Sequence, residues 1–382
     1  MFLKLKNIYD FEILALEKGW ANYPPIIYEE SIGPVRVYSA QNKDLIIPPK
    51  ILQKKEKQKY RINQEALICC NNFGIIIEGS IYPFGFSHSP VWLDPETRRI
   101  SQNEVHIRVK KTSIKNYCGQ DFSVFGVTNH WGHFFVDALD RIESLNKRNS
   151  RFINSGDHFL GFNSNSNQNG IIPQVAQLIN ELGYEVNAEK QLATIKDGFY
   201  LVDSLEYYNL QSHKPSISSR SFINFRDTLL SKHEEKNLNN NDAREILYMG
   251  RKGQSKRKIV NEEAIEMKIS HYSGVTIDLG NQRLDDLVST FSNAKVIIFI
   301  IGSSKFNLLF CKPGTKVICV VPDGYSSDGG VATMVRHICS ALSLILIFYE
   351  VPIVNKSEIA LNSDLGLLPS DIDTMILLLS EM

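Results

Sequence analysis

Apolar and polar positions alternate most regularly between Glu245 and Pro322. Three apolar runs, Glu245–Met249, Val275–Leu279 and Lys295–Ile301, read as strands. Helical patterns lie between them. In the second, Leu284, Leu287, Val288 and Phe291 fall at i, i+3, i+4 and i+7, one face of an amphipathic helix. Strands alternating with helices predict a parallel sheet. Loops at the carboxyl ends of such strands are where ligands bind.

The rest of the chain is less regular. Residues 1–60 hold Pro24-Pro25, Pro34, Pro48-Pro49 and a charged run from Lys54 to Lys59, which predicts an irregular arm with short strands. Ala66–Cys70, Gly74–Ile77, Ser123–Thr128 and Gly198–Val202 read as strands. A helix is predicted from about Trp131, with Phe134, Ala138, Ile142 and Leu145 on one face and His133, Asp137, Asp140, Arg141 and Ser144 on the other. Pro173–Leu182 opens on proline and is followed by Gly183, as a helix should be. Ser219–Lys236 reads as a charged helix. The polar tract Asn237–Asp242 favours turns and predicts a boundary. Ser370 and Asp373 have capping-box spacing before the apolar stretch Met375–Leu379. Domains are therefore expected over 1–60 (arm), 61–215 and 216–382.

Composition narrows the function classes. The 42 basic and 42 acidic residues of the 382-residue chain cancel, so no global field draws it to nucleic acid. Six cysteines form no C-x-x-C pair, which fits buried thiols in a reducing compartment. The most apolar segment, Ile338–Val354, is interrupted by Ser340, Ser343, Glu350 and Pro352 and predicts a buried helix end, a turn and a strand. No signal-peptide pattern opens the sequence, so a cytoplasmic protein is expected. Phosphate-loop, dinucleotide and zinc-hydrolase motifs are absent, as is metal-ligand spacing among the histidines.

Three constellations remain. In Asn129-His130-Trp131-Gly132-His133, His133 and Asp137 are spaced i, i+4, either as an imidazole–carboxylate base or as an ordinary polar helix face. The second spans Gly250 to Glu263. Arg244, Arg251, Lys252, Lys256, Arg257 and Lys258 surround a strand-to-helix junction, either as a diphosphate site or as a solvated basic loop. In the third, the apolar strand ending at Ile301 runs into Gly302-Ser303-Ser304 and Asn307. This is either a small-residue phosphate turn or a tight turn capped by a serine. Asp371-Ile372-Asp373 reads as helix capping.

In this order the three constellations resemble glycosyltransferase family 61. Asn129 through His133 and Asp137 to Arg141 is similar to the family's Asn, aromatic, Gly-His-Phe block. Arg251, Arg257, Asn261 and Glu262 are similar to its Arg…Arg-x-x-x-Asn-Glu signature. Phe291 through Gly302, Ser303, Ser304, Asn307 and Pro313-Gly314 is similar to its strand, turn and Asn segment. The resemblance covers roughly 120–325, with Ile301 in place of the family's usual histidine and Asp140 in place of its usual proline. It implies an α/β, GT-B-like fold: two Rossmann-like domains facing across a cleft, acceptor side first. It implies inverting, metal-independent transfer from a nucleotide sugar to a glycan or polysaccharide acceptor, by a hexosyl- or pentosyltransferase. His133 and Asp137 would be catalytic. Arg251, Arg257, Asn261, Glu262, Gly302, Ser303, Ser304 and Asn307 would bind donor. Asn129 and Arg141 would serve the acceptor or the structure. No cofactor or metal is implied. Partners are the two sugar substrates, with no nucleic acid, and a place at the periphery of the inner membrane is a further expectation. The rival reading is a catalytically degenerate nucleotide-sugar or glycan-binding module.

Overall fold

Strands covered on both faces by helices are apolar along nearly their whole length. Ala294–Ile300 and Lys316–Pro322 meet that description: the last four residues of the first and the last six of the second are all buried. Both belong to a seven-stranded sheet of β1 (Val35–Ser39), β2 (Leu45–Ile47), β3 (Arg244–Met249), β4 (Val275–Ile277), β5 (Ala294–Ile300), β6 (Lys316–Pro322) and β7 (Ile345–Val351). The order is β4-β3-β5-β6-β7-β1-β2. All neighbours are parallel except β1 and β2, which pair antiparallel.

The structure is a computed structural model. It describes 2–5, 8–21, 27–39, 44–55, 59–69, 74–83, 97–101, 104–107, 114–116, 118, 121–127, 131–135, 139, 158–162, 173–182, 192–194 and 199–208. From 218 to 381 it describes all but 237–243, 255, 280–281, 327–329 and 358–361. The chain divides into one unit of Met1–Tyr28 and Gln53–Ile217 and another of Glu29–Leu52 and Ser218–Met382. The arm expected over 1–60 is thus shared between the two. Its Val35–Ser39 alternates buried and half-buried residues and joins β7, with Arg36 opposite Ile347 and Val37 opposite Phe348.

In the second unit the helices are α1 (Ser219–Lys236), α2 (Glu262–His271), α3 (Leu284–Ser292), α4 (Gly330–Ala341) and α5 (Pro369–Ser380), with a 3₁₀ turn at Ser303–Phe310. One face of the sheet, with Ile246, Tyr248, Ile298, Ile300, Ile318 and Val320, packs against Ile265 and Ile269 of α2 and Ile372 and Met375 of α5. Helices α1, α3, α4 and the 3₁₀ turn pack together on the other face. The predicted stripe Leu284, Leu287, Val288 and Phe291 is buried in α3.

Glu30 ties the early segment to this layer. Its carboxylate accepts from the Ser219 backbone N–H at 3.0 Å and lies 2.8 Å from Nε2 of the fully buried His337. Arg336 donates to the carbonyls of Gly33 (3.0 Å) and Pro48 (2.8 Å). At the far end, the cap of α5 differs from the expected Ser370–Asp373 pair. Asp371 accepts from the Leu368 N–H at 2.7 Å, whereas Asp373 pairs with Lys268 of α2 at 2.7 Å.

The first unit contains a five-stranded sheet in the order Leu192–Thr194, His158–Phe162, Asp121–Val127, Ser204–Tyr208, Lys59–Ile62, parallel except for the last pair. A largely antiparallel eight-stranded sheet contains Ala66–Cys69, Gly74–Ile77 and Phe199–Val202. The predicted helix after the proline is observed at Pro173–Glu181, with Val175, Leu178 and Ile179 buried. Asn237–Asp242 lies outside the described residues, and the longer segment of the second unit begins at Ser218.

Candidate functional site

The five strands from β3 onward are arranged 2-1-3-4-5. After β3 the chain crosses to one side and after β4 to the other. The carboxyl ends of β3 and β5 therefore flank the point where the winding reverses, the usual crevice of an open α/β sheet. The loops carrying Arg251, Arg257 and Gly302 leave from those two strands.

The β3 loop begins at Gly250, where an added Cβ would lie 3.3 Å from Oε1 of Glu262. The small residue lets that carboxylate reach back. It accepts a short hydrogen bond from the Arg251 backbone N–H and a second from the Tyr248 hydroxyl at 3.2 Å. Further along, the segment is stitched to 362–365. The Arg257 N–H donates to the Asn362 carbonyl at 3.3 Å, Lys258 N–H to Asp364 Oδ1 at 2.9 Å, and Leu365 N–H to the Lys258 carbonyl at 2.9 Å. These bonds hold Arg257 at φ 58°, a left-handed conformation that a long side chain adopts at a cost. Asn261, also left-handed at φ 63°, starts α2 without a side-chain cap bond.

The two guanidiniums meet over the β5 turn. Arg257 Nη1 donates to the Ile301 carbonyl at 2.9 Å. An added Cβ on Gly302 would lie 2.9 Å from Arg257 Nη1 and 3.4 Å from Arg251 Nη1. Only hydrogen at this position lets both cations close over the backbone. Arg251 also donates to the Lys256 carbonyl at 3.0 Å. Among the described residues neither guanidinium forms an ion pair, and Nε of each is buried without a hydrogen-bond partner. Burial, reinforced by the neighbouring Arg257, pulls the Arg251 guanidinium down to about 10. Burial lowers Arg257 as well, with Tyr325 in the loop after β6 within electrostatic reach. Two desolvated like charges make a strong demand for an anion.

The turn itself is built for close approach. Gly302, in extended backbone, is itself the N-cap of Ser303–Phe310, so neither serine takes the capping position. Both serines are half-buried. Asn307 is 2% exposed, and its Oδ1 has no hydrogen-bond partner among the described residues. The first turn of α2 carries Glu262 and Glu263, which already satisfy its N-terminal field. A cleft of about 830 Å³ opens beside it, lined by Arg251, Lys252, Asn261, Ala264, Met267 and Leu368 among others.

Of the residues proposed from sequence, Arg251, Arg257 and Gly302 converge. Glu262 holds the Arg251 backbone, and Asn261 lines the adjoining cleft. His133 ends the helical segment Trp131–His133, followed by the buried Phe134 and Phe135. Asn129, Asp137 and Arg141 lie outside the described residues. Sequence reasoning passed over Lys305. Its amine, on a residue 7% exposed, donates to the Gly302 carbonyl at 3.2 Å and lies 4.3 Å from the Phe306 ring centroid. Its place three residues after Gly302 was the available signal.

Residues 131–318 match the family model described as Glycosyltransferase 61. Over those residues the chain is similar to glycosyltransferase family 61. That match contains the whole span from His133 to Asn307. No curated protein matches the chain. A match to family 61 implies a glycosyltransferase, with a donor sugar and an acceptor glycan.

Proposed function

We propose that this chain is an inverting glycosyltransferase. It takes a hexosyl or pentosyl group from a nucleotide sugar and delivers it to a glycan or polysaccharide acceptor, without an obligatory metal. The observation that carries this reading is the convergence of Arg251 and Arg257 on Gly302 at the winding reversal of the second sheet. In the proposed reaction a base removes the acceptor hydroxyl proton. The oxygen then attacks the anomeric carbon from the face opposite the leaving group, and the bond from that carbon to the phosphate oxygen breaks. Its electron pair leaves with the nucleoside diphosphate. The guanidiniums, Ser303, Ser304 and the backbone at Gly302 balance the charge that develops. Asn261 and Asn307 complete the polar lining, with Glu262 holding Arg251.

His133 is the proposed base, with Asp137 orienting it and Asn129 and Arg141 on the acceptor side. We assign the first unit to acceptor and the second to donor, a GT-B arrangement. The doubly wound second sheet supports the donor half of that assignment. A reducing, cytoplasmic setting is proposed from the buried free thiols of Cys311, Cys319 and Cys339. Work at the membrane periphery belongs to the same proposal. Among the described residues no helix is long and apolar enough to cross a membrane.

The test is a thermal-shift panel of nucleotide sugars followed by turnover. A true donor at 100 times its Kd stabilises the protein by about 2.7 kcal/mol. With that donor, His133→Ala or Asp137→Ala should lower turnover by about 10²-fold while donor affinity survives. Wild-type turnover in both variants removes them from the reaction. A second reading, a binding module without turnover, is favoured by Ile301. This apolar, fully buried residue stands beside Gly302 where the family usually has histidine. Tight nucleotide-sugar binding with no transfer or hydrolysis would select it.

A further inference from the structure

Lys305 sits inside the turn that the two arginines cover. It is 7% exposed. Its amine uses one of its three donors on the Gly302 carbonyl at 3.2 Å and rests over the Phe306 ring at 4.3 Å. Among the described residues no carboxylate pairs with it, and the ionisable groups acting on it are Arg257 and Cys319 of β6. Helices α1, α3 and α4 pack against the turn, and among the described residues none of their charged groups acts on the amine. The Cys319 thiol is held well above its ordinary value by burial and stays neutral through physiological pH. The amine is thus buried behind a guanidinium, with nothing negative among the described residues to balance it. Such an amine sheds its proton more readily than it stays charged.

An anion over Gly302 reverses that balance. The Ile301 and Gly302 carbonyls are already engaged by Arg257 and Lys305, so the two cations lie on one strip of backbone. A diphosphate landing on the guanidiniums cancels the repulsion from Arg257 and adds a negative field within reach of the amine. We propose that Lys305 is a proton-coupled positioning residue: largely neutral above neutral pH while the site is empty, it takes up a proton from solvent when a nucleoside diphosphate binds, adding a third positive charge beneath the leaving group. This rests on the donor reading of the site. Burial first, and Arg257 second, already bring the empty-site amine down to about 7. Binding raises it. Affinity should then be greatest below the empty-site value and fall as pH climbs above it.

Two measurements test the idea on the full chain. The first needs no ligand. An amine less basic when folded than when unfolded makes the protein more stable as pH rises from about 7 to about 10. Wild-type Tm should therefore gain on that of Lys305→Met across this range. A constant difference would mean that the amine stays charged in the empty protein, and would overturn the proposal. The second is calorimetry with UDP, GDP, CDP and ADP at about pH 8 in Hepes and in Tris, whose different ionisation enthalpies count protons. The tightest binder should take up close to one proton with the wild type and none with Lys305→Met or with the permanently charged Lys305→Arg. Its affinity for the wild type should fall by up to about tenfold per pH unit above pH 7. Binding without proton uptake overturns the Lys305 role and leaves the donor reading intact. Failure of all four nucleotides to bind overturns the donor reading, and this proposal with it.

Discussion

Arg257 donates a hydrogen bond to the carbonyl of Ile301, 2.9 Å away, and the same Nη1 atom stands 2.9 Å from where a side chain would begin on Gly302. The guanidinium therefore lies in close contact with the turn. At φ 171° Gly302 is in extended backbone that any residue adopts, so space rather than backbone strain demands glycine. Gly302→Ala should fold with a Tm close to wild type, since the flexible end of Arg257 can shift. Nucleoside diphosphate affinity should fall by about tenfold as both guanidiniums move. Calorimetry beside thermal unfolding checks this; unchanged affinity would show that the close contact has no part in binding.

Arg257→Met separates function from stability. The variant loses a desolvated cation that faces Arg251 and has no ion-pair partner among the described residues, while methionine is as strained as arginine at the same left-handed φ. The empty protein should be as stable as wild type or more so, because a buried unpaired charge costs free energy. Binding of a nucleoside diphosphate should weaken by about 10- to 100-fold, roughly 1.4–3 kcal/mol. A large drop in Tm would mean that the bond to Ile301 supports the fold instead.

Glu30 should matter far more than its place in an irregular arm suggests. Its side chain is 13% exposed against the fully buried His337, and it also holds the Ser219 N–H at the start of α1. Glu30→Ala should cost about 3 kcal/mol in denaturant unfolding, since it strips a buried polar pair of one member. Lys252→Ala, whose partner Glu263 is 79% exposed, should change stability by less than about 0.5 kcal/mol. Equal effects would refute the anchoring role of Glu30.

Asp373 supplies the pH signature of the α2–α5 contact. Hydrogen bonds from Lys268 first and Tyr272 second hold its carboxyl below the ordinary value of 3.8. A carboxylate depressed in the folded state contributes stability above its unfolded value and loses it as pH falls through the folded value. Asp373→Asn should therefore lower Tm at neutral pH, and the difference from wild type should close on acidification below about pH 4. A gap that persists to pH 2 would mean that shape, rather than charge, joins the two helices.

Local patterning was enough to find the elements of the second unit. Continuous apolar runs at 245–249 and 295–301 became β3 and β5, because strands buried on both faces admit few polar residues. The stripe of α3 followed from its own periodicity, and α1 spans the charged helix read over Ser219–Lys236. The basic cluster and the small-residue turn were also legible, as separate segments.

Their meeting was not. Residues 251 and 302 are brought together by strand order, which depends on which apolar faces pack best over the whole sheet. The same holds for Val35–Ser39, whose pairing with β7 spans some three hundred residues and leaves no local trace. Residue types and spacings determined the strands, the helices and the kinds of chemistry on offer. Tertiary packing alone decided that two unpaired guanidiniums and a buried amine share one glycine turn, because burial and neighbouring charge are properties of assembled faces and not of a segment.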